Sequence, residues 1–131
     1  MTIKVHHTLL LTGAAGGLGQ ALRELLRQNC DVVRLSDRVA FGPAQAGEEV
    51  VIADLADAQA VHEMVRGVDA IVHFGGISVE SAFAPILQGN ILGMFNLYEA
   101  ARKNGVKRVV FASSNHVTGY YRQSDTITVN H

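Results

Sequence analysis

The densest group of side chains able to do chemistry is Ser113, Ser114, Asn115 and His116, which follows the apolar stretch Arg108 to Ala112 and precedes the pair Tyr120 and Tyr121. Hydroxyl, amide and imidazole groups at the end of a buried strand can hold a polyhydroxylated ligand, and they can assist a proton transfer. The plainer readings are a Ser/Thr turn at a strand end for Ser113 and Ser114, and a solvent-facing loop residue for His116. A second group lies near the N terminus, where "TGAAGGLG" repeats glycine at Gly13, Gly16 and Gly19. Between an apolar strand and an amphipathic helix, such glycines allow a tight turn. They also let a pyrophosphate approach the main chain, where the N–H groups of the helix N terminus receive its charge.

Two acids follow at strand ends. Asp37 closes the second apolar run, close to the position about 20 residues beyond the glycines where an acid meets the adenine ribose. A carboxylate there accepts both ribose hydroxyls and repels a 2′-phosphate, which favours NAD over NADP. The adjacent Arg38 works against that preference, and a solvated loop acid is the alternative for Asp37. Asp54, in "IADLAD", either receives the adenine amino group or caps the helix that follows.

These groups have to be positioned by the elements around them, which alternate in order. Strands are expected at "HTLLLTG", "DVVRLSD", "EEVVIAD", "DAIVHFGG" and "KRVVFASS". Helices are expected at "GLGQALRELLRQNC", from Asp57 as N-cap to Gly67, and from about Ala84 to Asn104. In the first helix Leu18, Ala21, Leu22, Leu25 and Leu26 share one face. Strands this apolar, joined by helical crossovers, imply a parallel sheet covered on both sides. Right-handed connections then give a Rossmann-type doubly wound α/β fold with strand order 3-2-1-4-5. In such a sheet ligands lie outside the carboxyl ends of the strands, where the groups named above collect.

The 131 residues are 48% hydrophobic and 18% charged, with 11 basic and 12 acidic side chains, so one soluble domain with one core is expected. No basic block suits a nucleic acid, and no run reaches the roughly 18 apolar residues of a membrane span. The single Cys30 gives no internal disulfide, and a cytoplasmic location is expected. None of the six histidines has metal-ligand spacing with a supporting acid or cysteine, so no metal is expected. His73 is read as a structural core residue.

Taken together, "LTGAAGGLG", "ADLAD", "GVDAIVHFGG", "GNILGMFNLYEAAR" and "GVKRVVFASS" resemble the extended short-chain dehydrogenase/reductase family of NAD-dependent epimerases, dehydratases and sugar dehydrogenases. "HFGGISVE", "ILQGNI" and "FASSNH" with the following "GYY" are most similar to its uronate dehydrogenase branch, which oxidises galacturonate or glucuronate at C1 with NAD to the aldarolactone. The resemblance makes Ser114 the active-site serine. It implies hydrogen bonds from Ser78, Ser114, Asn115 and His116 to the sugar acid. It also implies cofactor contacts by Gly13, Gly16, Gly17, Leu18, Gly19, Asp37, Asp54, Leu55, Phe74, Gly75, Gly76 and Asn90. For Asn90 a polar interruption on a packed helix is the alternative.

The family's base is the tyrosine of Tyr-x-x-x-Lys, whose phenol is made more acidic by the nearby ammonium. No tyrosine here fits: Tyr98 is followed by Arg102, Tyr120 by Ser124 and Tyr121 by Asp125. Residues 1–131 are therefore expected to be an NAD-binding Rossmann domain truncated before the base, the sixth strand and the substrate lobe, and inactive alone. A sugar-nucleotide epimerase or dehydratase and a non-catalytic NAD-sensing or scaffold module are the alternatives. The 84–104 helix carries apolar residues over half its circumference, including Ile86, Leu87, Ile91, Met94, Phe95, Leu97 and Tyr98. By resemblance it joins a homodimer; contact with later residues of the chain would explain the same pattern.

Overall fold

The computed structural model of the chain describes residues 6–119 and 121–128. Tyr120 lies outside the described residues, as does the side chain of Asn115. Strands and helices alternate as β1 (His6–Thr12), α1 (Gly17–Asn29), β2 (Cys30–Asp37), β3 (Glu48–Ile52), α2 (Ala58–Val65), β4 (Ala70–His73), a helical stretch, and β5 (Arg108–Phe111). The five strands pair in parallel in the order β3-β2-β1-β4-β5, as the apolar runs and crossover rule require.

Alternation along the central strands divides the core in two. Leu9 and Leu11 of β1 pack with Ala14, Val33 and Leu35 on one side. Leu10 and Ile71 pack on the other with Val61, Met64 and Val65 of α2, Val68, and Leu97, Ala100 and Ala101 further on. Burying a side chain of this size contributes about 1.5–3 kcal/mol, so the strand centres hold the strand ends in place. Among the described residues no helix is long and apolar enough to cross a membrane.

Two expectations about helices are corrected. The single α1 stripe does not form, because Leu18 and Leu25 are 62% and 55% exposed while Leu22 and Leu26 are half-buried. The cause is Gly19, where a Cβ would stand 2.4 Å from the Gly13 carbonyl oxygen. That close approach sets the helix rotation, turning positions 19, 22 and 26 inward and positions 18 and 25 outward. The expected single helix from 84 to 104 is three pieces: α3 (Phe83–Ile86), a π-helical segment (Leu87–Leu92) and α4 (Gly93–Lys103). The Gly93 N–H reaches back five residues to the Gln88 carbonyl. This wider turn carries Asn90 to the loop after β4, and Gly93 to the loop after β3, where its Cβ would come within 2.7 Å of the Leu55 Cβ.

Charged groups tie the periphery. Arg23 of α1 grips Glu48 at the start of β3 with two bonds of 2.8 and 2.6 Å, and also donates to the Pro43 carbonyl. The Glu48 side chain is fully enclosed and that of Arg23 is 14% exposed. Arg34 of β2 donates to Glu49 and to the Met64 and Arg66 carbonyls, closing the C-terminal end of α2.

The Arg23 guanidinium holds the Glu48 carboxyl below the usual carboxylate range. Because that value is depressed by folding, the stabilisation is present at neutral pH and is lost as pH falls below the unfolded value towards the folded one. Glu48→Gln should cost about 1.5–3 kcal/mol in urea unfolding at pH 7, the range for a hydrogen bond to a charged group. The gap from the parent should shrink steadily below about pH 4; a gap independent of pH would show that the carboxylate charge is not what stabilises the loop.

Candidate active site

A cleft of about 830 Å³ opens at the carboxyl ends of the strands. Its first wall is the turn from β1 to α1. Gly13 has φ +72°, and a Cβ there would meet the Phe74 carbonyl carbon at 2.6 Å and the Gly75 nitrogen at 2.8 Å. Gly13 and Gly19 are thus required by packing of backbone on backbone. Gly17 is different: it has an ordinary helical conformation, and a Cβ there would meet nothing within 4 Å. Nothing in the protein demands glycine at that point, which leaves an open space on the cleft wall.

The residue before α1 is Gly16, which has no side chain to cap the helix, and the first turn holds no acid. Main-chain N–H groups at that end face a site suited to an anion. Across the turn Asp37 ends β2, with its carboxylate accepting from the N–H groups of Ala15 (3.0 Å) and Arg38 (2.8 Å). The acid is therefore fixed to the glycine loop and still has lone pairs to offer a ligand. Glycine loop, uncapped helix and tethered acid together fit a dinucleotide.

Asp54 also lines the cleft, and its carboxylate accepts from Ala56 N–H at 2.9 Å. It does not cap α2; Asp57 does, accepting from Gln59 and Ala60 N–H groups at 3.0 Å each. That disposes of the capping alternative for Asp54. Leu55 fits between Gly75 and Gly93, within 2.8 and 2.7 Å of where their Cβ atoms would lie. Buried Asn96 holds the same loop, donating to the carbonyls of Leu55 and Ala56.

The cleft floor is built by residues that the sequence reading passed over or placed in the core. The Thr12 hydroxyl lies 2.6 Å from His73 Nδ1 and accepts from Gly75 N–H at 3.2 Å. The His73 ring is buried and stacks on Phe111 at 5.7 Å, and burial lowers its pKa to about 4, so it is neutral at physiological pH. Thr12 and His73 both end strands at the switch point, the one feature of the sequence that could have singled them out.

Every residue expected to touch the cofactor lines this cleft. Asn90 does so with its amide already engaged, accepting from Ile77 N–H at 2.7 Å and donating to the Ile77 carbonyl at 2.9 Å. It fastens the loop that presents Gly76 and Ser78. Ser78, Ser113 and Ser114 line the same cleft, whereas His116 stands one bond away. Ser114 does form a turn at the strand end, capping the short 3₁₀ helix Asn115–Thr118 by accepting from His116 N–H.

The family model described as "NAD dependent epimerase/dehydratase family" matches residues 9–130. The chain is 62% identical over 120 residues to a uronate dehydrogenase of Pseudomonas syringae pv. tomato, covering 91% of this chain and 44% of that one. It is 59% identical over 128 residues to a uronate dehydrogenase of Pseudomonas putida, covering 97% and 48%. Among solved structures, a tyrosine-to-alanine variant of uronate dehydrogenase from Agrobacterium tumefaciens complexed with NAD superposes with a TM-score of 0.89. Its identity is 56%, over 92% of this chain and 46% of that one. The chain spans about half the length of the curated relatives it matches.

The contrast between glycines is directly testable. Gly17→Ala should leave the melting temperature unchanged or raise it, since alanine is favoured over glycine in a helix by about 1 kcal/mol, while weakening dinucleotide binding about tenfold or more. Gly13→Ala should instead lower the melting temperature, because both φ and contacts forbid a side chain. Thermal melts beside fluorescence titration separate the two; full affinity in Gly17→Ala would remove that wall from the binding site.

Proposed function

The chain belongs to the NAD-dependent epimerase/dehydratase family, and on that premise we propose that it binds NAD in this cleft as the cofactor-binding part of a uronate dehydrogenase. The reaction is oxidation of galacturonate or glucuronate at C1 to the aldarolactone. One observation carries the reading: a single cleft runs from Asp37 and the uncapped helix to Ser78 and Ser114. Similarity to uronate dehydrogenases over nearly the whole chain supports the substrate class.

In this reading Asp37 accepts the ribose hydroxyls, and the N–H groups opening α1 receive the pyrophosphate. Bound NAD supplies the hydride acceptor. Ser114 donates its hydroxyl to the oxygen on C1, and Ser78 bonds a further sugar hydroxyl. Such a site rejects ligands lacking those hydroxyls, because its own polar groups would be left unpaired. The hydroxyl proton needs a base, and no Tyr-x-x-x-Lys occurs in the 131 residues. These residues position the reaction and leave proton removal to another group. The same reading pairs the long helical stretch with a second copy, since Leu87, Ile91, Phe95 and Tyr98 form an exposed apolar row on it.

Joining this chain to the remaining length of the Pseudomonas syringae relative tests the activity. The chimera should form NADH from galacturonate and glucuronate and should leave UDP-glucose unconverted when the nucleotide-sugar itself is followed by chromatography, and Ser114→Ala should lower its turnover of the uronates about a hundredfold. The 131-residue chain alone should bind NAD and form no NADH. Turnover of the nucleotide-sugar in preference to the free uronates would favour the epimerase reading instead.

Cofactor choice rests on Asp37. The chain should bind NAD at least tenfold more tightly than NADP, and Asp37→Ala should reduce that preference towards parity, with Arg38 left to meet the 2′-phosphate. Equal affinities before substitution would take Asp37 out of the site.

A further inference from the structure

Ser114 makes two contacts with one neighbour. Its Oγ accepts from the His116 main-chain N–H at 3.1 Å and lies 3.0 Å from the His116 Nδ1. The short helix that begins there is closed by Gly119 N–H donating to the His116 carbonyl at 3.0 Å. Ser114 and Val117 line the cleft, whereas His116 does not. The imidazole therefore meets the cleft through the serine hydroxyl.

We propose that His116 is a positioning residue that aims the Ser114 hydroxyl into the cleft by donating Nδ1–H to its oxygen. This inference rests on the uronate dehydrogenase reading of Ser114. A hydroxyl has two lone pairs and one proton. With the main-chain N–H on one lone pair and Nδ1–H on the other, the proton is the only valence left, and it is free for the sugar oxygen. The opposite tautomer, protonated at Nε2, would draw the hydroxyl proton onto Nδ1 and leave Ser114 with nothing to donate. Two donors on one oxygen also polarise its O–H bond, which strengthens the bond it gives to an oxygen gaining charge.

The tautomer is readable without any turnover. Two-bond proton–nitrogen correlation spectra of the 131-residue chain, with His116 assigned through His116→Asn, should show Nδ1–H. Ser114→Ala should move His116 towards the Nε2–H form that neutral histidine favours in water. An Nε2–H signal in the parent chain, or no change on removing the hydroxyl, would overturn the proposal. Kinetics in the chimera give a second reading, because an asparagine amide occupies the place of Nδ1 and a glutamine amide that of Nε2. His116→Asn should lose about threefold in kcat, and His116→Gln and His116→Ala about tenfold or more with KM little changed. Retention by Gln alone, or a rise in KM at constant kcat, would put His116 on the substrate and reject the positioning role. A chimera that oxidises no uronate would reject the functional reading, and the tautomer would still decide this one.

Discussion

The contact on which the site depends is main chain against main chain, where the turn after β1 rests on the end of β4. No side-chain rotation relieves a clash of this kind, so Gly13 and the Phe74–Gly75 segment are locked at a fixed separation. The Thr12 hydroxyl fixes the same junction from within the core by bridging His73 and the Gly75 N–H. Gly19 then seats α1 on the turn. The pyrophosphate end of the cleft and its floor consequently behave as one body, set by the parallel register of β1 and β4.

The opposite wall is held less directly, by amides reaching from the irregular helix. Asn90 fastens Ile77, and Asn96 fastens Leu55 and Ala56. Both are polar residues on a helical stretch that packs into the protein, and both spend their amide hydrogen bonds on loop backbone: Asn90 accepts from and donates to Ile77, and Asn96 donates to the Leu55 and Ala56 carbonyls. The π-helical segment gains its place from this arrangement, since a wider turn at that point brings Asn90 and Gly93 to two different loops.

Much of the architecture was legible because it depends on local pattern. The apolar runs, the glycine spacing and Asp57 as helix cap are all properties of short stretches, and strand order follows from crossover handedness. What was not legible depends on contacts between distant residues. Nothing near Leu18 announces that Gly19 will turn it outward, and nothing near Asn90 reveals Ile77 as its partner. Arg23 and Glu48 are 25 positions apart and read as ordinary surface charges until the fold encloses them. Asp37 was legible as an acid at a strand end, but its tether to Ala15 was not. Within the site, the sequence pointed to Ser114 and His116 separately, and their coupling came from the turn they share.

Leu55 sits as a plug between two glycines, and this has a genetic consequence. At Gly75 the nearest obstacle to a side chain is the Leu55 Cδ1, the far end of a flexible group, whereas at Gly93 it is the Leu55 Cβ. A defect caused by Gly75→Ala is open to second-site suppression by shortening Leu55, to alanine for example. A defect from Gly93→Ala is not, because every residue except glycine keeps that Cβ. Position 75 therefore changes only if position 55 shortens and the Thr12 hydroxyl, 3.2 Å from the new Cβ, gives way as well, while position 93 stays frozen for as long as position 55 carries any side chain at all.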